Sequence, residues 1–272
     1  MADVDLSAPL TLIGCGNMAG AMLRRWLDCG VDPARVLVVR PSGAPAGEGV
    51  RVATAVPQGL DGIVLLGVKP QKLDEVAAGL APALGAGTLL ISILAGVELA
   101  TLRERFPFPR AIVRAMPNTP VGLGRGVVGL CSSDADGAAR QEVDALMAPL
   151  GHAEWFDDEE LFVLAGHLTG AGPAFVYRFI DGMAAAAARL GLPPEQALRL
   201  ATRMVEGAGA LAAAADEGPA ELARRVASPG GTTEAGLRVL DSEDALASLM
   251  LRTLEASRRR GRELAASTRG RR

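Results

Sequence analysis

The sequence predicts an α/β domain built on a doubly wound, mostly parallel sheet, followed by an all-α domain. Three observations carry that prediction. Up to about residue 156, short apolar runs alternate with stretches of helical periodicity, the pattern of successive β-α-β units. The first apolar run passes directly into a glycine-rich turn that opens a helix. Beyond about residue 157 strand signals cease and long alanine-rich helical segments take over. The expected domains are therefore 1–156 and 157–272.

The chain's 272 residues suffice for two domains with a generous core. Hydrophobic residues make up 49%, but no apolar run is long enough to span a bilayer. The acidic start, with Asp3 and Asp5 and no basic segment, does not read as a signal peptide. Cys15, Cys29 and Cys131 are scattered, without metal-ligand spacing, and read as reduced thiols of a cytoplasmic protein. A net charge of −3 argues against nucleic acid as a partner. The arginine-rich end (Arg258, Arg259, Arg260, Arg262, Arg269, Arg271, Arg272) reads as a solvated helix end with a basic tail. Of the 28 basic residues only Lys69 and Lys72 are lysines.

Leu10-Thr11-Leu12-Ile13 is the first expected strand, and Gly14-Cys15-Gly16-Asn17-Met18-Ala19-Gly20 leads into a helix over about 18–27. Strand, glycine turn and helix in that order form the Rossmann dinucleotide fingerprint. Gly14 permits the tight turn, and Gly16 lets a pyrophosphate approach the backbone. Ala19 or Gly20 allows close helix–strand packing. Asn17 and Met18, at the helix start, join Gly14 and Gly16 as candidate cofactor-binding residues. The second strand, 36–39, ends in Arg40-Pro41-Ser42. An acidic residue there would suit a free ribose 2′-hydroxyl, whereas Arg40, with Ser42 beside it, suits a 2′-phosphate. NADP(H) is therefore the expected cofactor, with NAD(H) left open.

Further strands are expected at 50–52, 63–66, 89–93, 111–114, 127–130 and 153–156, with helices at about 72–84, 97–105 and 136–150. The fourth and fifth strands run into Val68-Lys69-Pro70-Gln71 and Leu94-Ala95-Gly96, loops at strand C-terminal ends where open α/β sheets bind ligands. The sixth empties into Met116-Pro117-Asn118-Thr119-Pro120, a rigid double-proline loop.

In the second half, Pro173 is expected at the first position of a helix whose apolar face carries Phe175, Val176, Phe179, Ile180, Met183, Ala187 and Leu190. A second long helix follows Gly191-Leu192-Pro193 and presents Ala197, Leu198, Ala201, Met204, Val205, Ala208 and Leu211. Two long alanine-lined helices offer more apolar surface than a small helical domain buries alone, which implies a homodimer interface. After a third helical region comes Ser228-Pro229-Gly230-Gly231-Thr232-Thr233, with Thr232 or Thr233 as the expected N-cap of the next helix. Free N–H groups, a positive dipole end and hydroxyls meet there, as a carboxylate or phosphate site requires.

The order of these motifs resembles the pyrroline-5-carboxylate reductase family. The matching segments are IGCGNMAGA from Ile13, VKPQ from Val68, SILAG from Ser92, RAMPNTP from Arg114, TGAGPAF from Thr169 and VASPGGTTEAGL from Val226. The resemblance runs from about residue 10 to 265. It implies a Rossmann domain, a helical dimerisation domain, NAD(P)H as hydride donor and a small cyclic imine as substrate. It also implies that Ser228 by its hydroxyl, and Gly231 and Thr232 by backbone N–H, hold the substrate carboxylate. The Thr233 hydroxyl would reach the ring nitrogen as the catalytic group. Val68, Lys69, Pro70, Ile93 and Ala95 match positions that line the cofactor.

The chain departs from the family pattern in places. Ser-Gly-Ser-Gly-Pro-Ala-Tyr is here Thr169-Gly170-Ala171-Gly172-Pro173-Ala174-Phe175, and Gly166-His167 replace Thr-Ala. Val39 and Val56 stand where asparagines are usual. His167 reads as a packing residue before an acid–base one. A β-hydroxyacid dehydrogenase is rejected, since that family needs a lysine in its helical domain and none occurs beyond Lys72. A cofactor-binding paralogue without turnover, or a reductase of other cyclic imines, are the alternatives. No metal-ligating cluster or nucleophilic triad is evident.

Overall fold

The strands β1 (Leu10–Ile13), β2 (Val36–Val39), β3 (Arg51–Ala53), β4 (Leu60–Leu66), β5 (Leu84–Ser92), β6 (Ala111–Pro117), β7 (Gly126–Cys131) and β8 (Gly151–Phe156) form one sheet in a computed structural model that describes residues 8–269. The acidic stretch before Ala8, the Arg269 side chain, and Arg271 and Arg272 lie outside the described residues. The strand order is β3-β2-β1-β4-β5-β6-β7-β8. Every neighbouring pair is parallel except β6 with β7. The chain reverses direction across the sheet between β1 and β4, the switch point at which such sheets bind dinucleotides.

Both faces of the sheet are covered, so the strands are apolar on both sides. One face sets Leu10, Leu12, Val38, Ile63, Leu65 and Leu89 against Met22, Leu23 and Trp26 of α1 (Asn17–Asp28) and Val143 and Leu146 of α4 (Gly137–Met147). The Trp26 indole N–H donates to the Leu146 carbonyl at 2.7 Å and ties those two helices together. The other face sets Ile13, Val39, Val64, Leu66 and Leu90 against Leu73, Ala77 and Leu80 of α2 (Leu73–Leu80), with Leu102 of α3 (Leu99–Arg105) and Phe106. Each fully buried side chain of this kind stabilises the fold by roughly 1.5–3 kcal/mol.

All eight expected strands are present; β4, β5 and β8 begin earlier than expected and β6 runs on to Pro117. α2 stops at Leu80 because Pro82 supplies no N–H, and a 3-10 turn follows (Ala81–Ala83). β5 consequently begins at Leu84, before the apolar run that betrays it, through Gly85 and Gly87. Thr88 holds that irregular start, donating to the Leu60 carbonyl at 2.6 Å while accepting from Gly85 N–H at 3.1 Å.

The sequence reading names no element between the sheet and Gly172, yet α5 (Glu159–Thr169) lies there. Asp158 caps it, accepting from Glu160 N–H at 2.7 Å. Its Phe162 is buried beside Gly129 of β7 and meets Phe156 edge-on at 6.3 Å. The Arg114 guanidinium, almost wholly buried at the middle of β6, lies 4.7 Å from the centre of the Phe162 ring and 2.7 Å from the Glu159 carboxylate. The same carboxylate oxygen accepts Leu99 N–H at 2.8 Å, capping α3 from a distance.

The chain divides into two compact units, one reaching Ala171 and including the chain from Arg258 on, the other Gly172–Ser257. The expected border after residue 156 marks the end of the sheet, and α5 belongs to the first unit. The second unit contains α6 (Gly172–Arg189), α7 (Pro194–Ala214), α8 (Pro219–Val226), α9 (Thr232–Asp241) and the first part of α10 (Ala245–Arg269). Pro173 is one residue inside α6 rather than its first residue. Within this unit Ala184 packs with Ala197 and Ala201, flanked by Ile180, Ala187 and Leu192. Small side chains there let α6 and α7 approach closely. Val176, Phe179, Met183, Leu198 and Met204 remain exposed, Phe179 at 48%. Of the alanines expected at a subunit interface, Ala184, Ala197 and Ala201 are therefore spent within the chain, while Ala208 stays exposed together with those bulky apolar residues.

Removing one member of a buried ion pair strands the other. Glu159→Ala should lower the unfolding free energy by about 3 kcal/mol or more, measured by urea denaturation. Combining it with Arg114→Met should cost less than Glu159→Ala alone. An equal or larger loss in the double variant would show that the pair is not what holds α5 on the sheet.

Candidate active site

The candidate cofactor residues gather at the C-terminal ends of β1, β2, β4 and β5, on both sides of the switch point. Gly14 follows β1 with φ +84°, and its N–H donates to the Val39 carbonyl at 2.9 Å. A Cβ at Gly14 would come within 2.8 Å of Val68 Cγ1 and 3.0 Å of the Gly67 carbonyl oxygen. Glycine is required there by conformation and by space. The third fingerprint position is Ala19, not Gly20. Ala19 is buried, and a Cβ placed on Gly67 would lie 3.0 Å from its methyl group. α1 thus crosses the ends of β1 and β4 with no larger side chain between them.

Gly16 is the N-cap of α1 and has no side-chain cap, and a Cβ there would meet nothing within 4 Å. Open backbone at a helix N-terminus is what a pyrophosphate needs. Gly16 and Asn17 are exposed and Met18 is half-buried. Arg40 follows β2, its backbone N–H held by the Ala53 carbonyl at 2.9 Å, and Ser42 is exposed in the turn that follows. The Arg40 guanidinium reaches the glycine turn electrostatically. Burial pushes the Cys15 thiol up from its ordinary value, and Arg40 and Arg24 work against that rise. These residues fit a dinucleotide, with open backbone for the pyrophosphate and a cation beyond the second strand.

Across the switch point, Val68 packs on Gly14. Lys69 is exposed and precedes the 3-10 turn of Pro70–Lys72, whose Lys72 pairs with Glu75 at 2.5 Å. Ile93 is half-buried and Ala95 exposed in the loop after β5, which Gly96 turns with φ +74°. The loop after β6 is organised by Asn118, which the sequence reading did not single out. Its amide donates to the Thr169 carbonyl at 3.0 Å and accepts Val127 N–H at 2.9 Å, fixing the end of α5 to β7.

The Gly166-His167 departure has a packing cause. A side chain on Gly166 would collide with the Met116 sulfur, and a Cβ on Gly261 of α10 would run into the His167 ring. Burial lowers the His167 pKa, and Arg258 and Arg262 lower it further. His167 packs between α5 and α10.

In the second unit, residues 228–231 form a turn closed by Gly231 N–H donating to the Ser228 carbonyl at 2.9 Å. Gly230 takes φ +71°. A Cβ on Gly231 would lie 2.9 Å from that carbonyl oxygen, so the turn cannot accept a larger residue without shifting. The expected cap differs: Gly231 is the N-cap, and Thr232 and Thr233 are already the first two helical residues. Their N–H groups precede the intrahelical ladder. The Gly231 N–H, expected to face the substrate, is committed to the turn. Ser228, Thr232 and Thr233 are exposed. Glu234, also unremarked in the sequence, accepts Gly230 N–H at 2.6 Å.

Among the described residues, no three or more His, Cys, Asp or Glu side chains are grouped to hold a metal ion. No described helix is long and apolar enough to cross a membrane.

Known proteins resemble this chain over nearly its whole length. The family model for pyrroline-5-carboxylate reductase dimerisation matches residues 159–264. That for NADP oxidoreductase, coenzyme F420-dependent, matches residues 9–96. Pyrroline-5-carboxylate reductase of Pseudomonas aeruginosa is 35% identical over 269 residues, covering 96% of this chain and 98% of the relative. The solved structure of a pyrroline-5-carboxylate reductase from Coxiella burnetii superposes with a TM-score of 0.88 at 30% identity, covering 95% of this chain and 98% of that one. A Plasmodium falciparum pyrroline carboxylate reductase solved with NADP bound shares the fold, with a TM-score of 0.81 at 23% identity over 96% of this chain and 99% of that one. With its strand-end glycine site and helical dimerisation domain, the chain belongs to the pyrroline-5-carboxylate reductase family.

Proposed function

We propose that this protein is a pyrroline-5-carboxylate reductase that reduces the cyclic imine to proline, with NADPH preferred over NADH. The observation that carries the reading is the 228–233 turn, which opens a ten-residue helix with two uncapped N–H groups and two exposed threonines. A helix start of this kind suits an anionic group, and the family relationship favours a substrate carboxylate there. The family relationship supports the reaction, and Arg40 supports the cofactor. Three free thiols and the absence of a membrane-crossing helix among the described residues suit a cytoplasmic enzyme. Direct turnover tests the reading: NADPH and NADH oxidation are followed in parallel with pyrroline-5-carboxylate. No oxidation, or oxidation only with other cyclic imines, overturns it.

NADPH, when bound, supplies the hydride. Gly14 and Gly16 admit the pyrophosphate to the α1 N-terminus, and Arg40 with Ser42 holds the 2′-phosphate. Val68, Lys69, Pro70, Ile93 and Ala95 line the remainder of that site. Ser228 and the Thr232 and Thr233 N–H groups hold the substrate carboxylate by charge-assisted hydrogen bonds. The Thr233 hydroxyl donates to the ring nitrogen and orients the C=N bond. As hydride adds to the imine carbon, the C=N π pair would move to the nitrogen, which takes a proton from solvent, and the ring becomes a secondary amine. The imine carbon is intrinsically electrophilic, and a hydrogen bond to its nitrogen makes it more so, so positioning is the protein's main contribution. Well-aligned cases draw as much as roughly 7–11 kcal/mol from it.

Losing a hydrogen bond to a charged group costs about 1.5–3 kcal/mol, or roughly 10- to 150-fold. Arg40→Ala should raise the KM for NADPH by that order while moving the KM for NADH little; equal effects on both would remove Arg40 from the 2′-phosphate. Ser228→Ala should mainly raise the KM for the imine. Thr233→Ala should instead lower kcat together with kcat/KM, because its partner gains proton character only as hydride arrives. Thr233→Ser should keep most activity. An unchanged kcat in Thr233→Ala, with hydride transfer rate-limiting, would leave Thr233 a helix-start residue only.

The helical unit forms a homodimer through its uncovered apolar residues. Phe179→Glu with Met204→Glu should give monomeric or aggregated protein by light scattering, whereas Ala201→Glu should unfold the unit by separating α6 from α7. A stable, active monomer from the first variant would rule out this face.

A further inference from the structure

Glu234 is the third residue of α9, where a carboxylate ordinarily reaches back to the N-cap N–H. Here that N–H, from Gly231, is already committed to the Ser228 carbonyl. The Glu234 carboxylate reaches one residue further, and Oε2 accepts Gly230 N–H at 2.6 Å. Gly230 is the residue at φ +71° that reverses the chain. Two hydrogen bonds at adjacent N–H groups therefore set the turn, one from backbone and one from Glu234. Its other oxygen, Oε1, is 3.0 Å from Arg238, one helical turn on. A surface pair of this kind stabilises the fold little. Its consequence is electrostatic: a bare carboxylate beside an anion site repels the anion, and a cation on its far oxygen offsets that charge.

We infer that Glu234 is a positioning residue for the substrate carboxylate: it locks Gly230 so that the Thr232 and Thr233 N–H groups stay free and aligned, while Arg238 neutralises it. The inference rests on the reading of the 228–233 turn as the substrate site. Glu234 does not touch the substrate; it acts through the turn.

The test compares Glu234→Ala, Glu234→Gln, Arg238→Gln and the double variant E234Q/R238Q, reading KM for the imine, KM for NADPH, kcat and hydrogen exchange at the Gly230 amide. Glu234→Ala should raise the imine KM by about tenfold and speed Gly230 exchange, with the KM for NADPH unmoved. Glu234→Gln, whose amide oxygen still accepts the N–H, should recover most of the loss. Arg238→Gln should raise the imine KM more at low than at high salt, and adding Glu234→Gln should restore it. An unmoved imine KM in Glu234→Ala, or equal shifts for imine and NADPH, overturns the inference. So does a Glu234→Gln variant as impaired as Glu234→Ala, or a double variant no better than Arg238→Gln. Should Glu234→Ala fail to fold, the glutamine variants still decide. Gly230 exchange needs no turnover: a wild-type protein that does not reduce the imine refutes the proposed function, whereas unchanged Gly230 exchange in the variants refutes the clamp.

Discussion

Covering a mostly parallel sheet on both faces constrains nearly everything in the first unit. Strands buried on two sides carry no polar side chains for chemistry, and Ile63, Val64, Leu65 and Leu66 of β4 are all within the core. Function is displaced to the strand ends, where the chain leaves the sheet and backbone becomes available. The tightest of these exits is at Gly14, Gly67 and Ala19, where helix and strands meet with no room for a larger residue. Two residues on from Gly14, Gly16 is open by contrast, with nothing within 4 Å of an added Cβ.

Arg114 is a buried charge in a sheet whose other buried strand residues are apolar or, as at Thr11, Thr88 and Ser92, uncharged. Its charge is matched by Glu159 and its flat face by Phe162, so one buried cation recruits the first turn of α5. Glu159 in turn serves the α3 N-terminus through Leu99 N–H. A charged group this deep is tolerable only when partnered; both of its partners come from α5, and Glu159 links them on to α3. Asn118 serves the neighbouring loop in the same way, joining β7 to the end of α5.

The second unit follows a different rule. It has no sheet to cover, and its buried residues are alanines, which bring helices close but bury little area each. The bulky apolar side chains therefore remain outside, as expected of a domain whose family model is named for dimerisation. The 228–233 turn belongs to this unit, and its shape owes more to hydrogen bonds among Ser228, Gly231, Gly230 and Glu234 than to packing.

The eight strands, the glycine turn and the two-part organisation were legible in the sequence because their signals are local. Apolar runs mark buried strands, glycines mark positive φ, and alanine-rich periodicity marks close-packed helices. The residues brought to the ends of β1, β2, β4 and β5 followed from those signals and from the family resemblance. Other features depend on neighbours far along the chain, and only the tertiary structure decided them. Pairing on the fold chose Ala19 over Gly20 as the close-packed position and gave Arg114 its carboxylate. It turned His167 into a packing residue against Gly261, and it spent Ala184 and Ala201 within the chain. At the 228–233 turn, commitment of the Gly231 N–H to Ser228 moved the cap from threonine to glycine and gave Glu234 its task. A residue's type states what bonds it can make; which partner it meets is set by the fold.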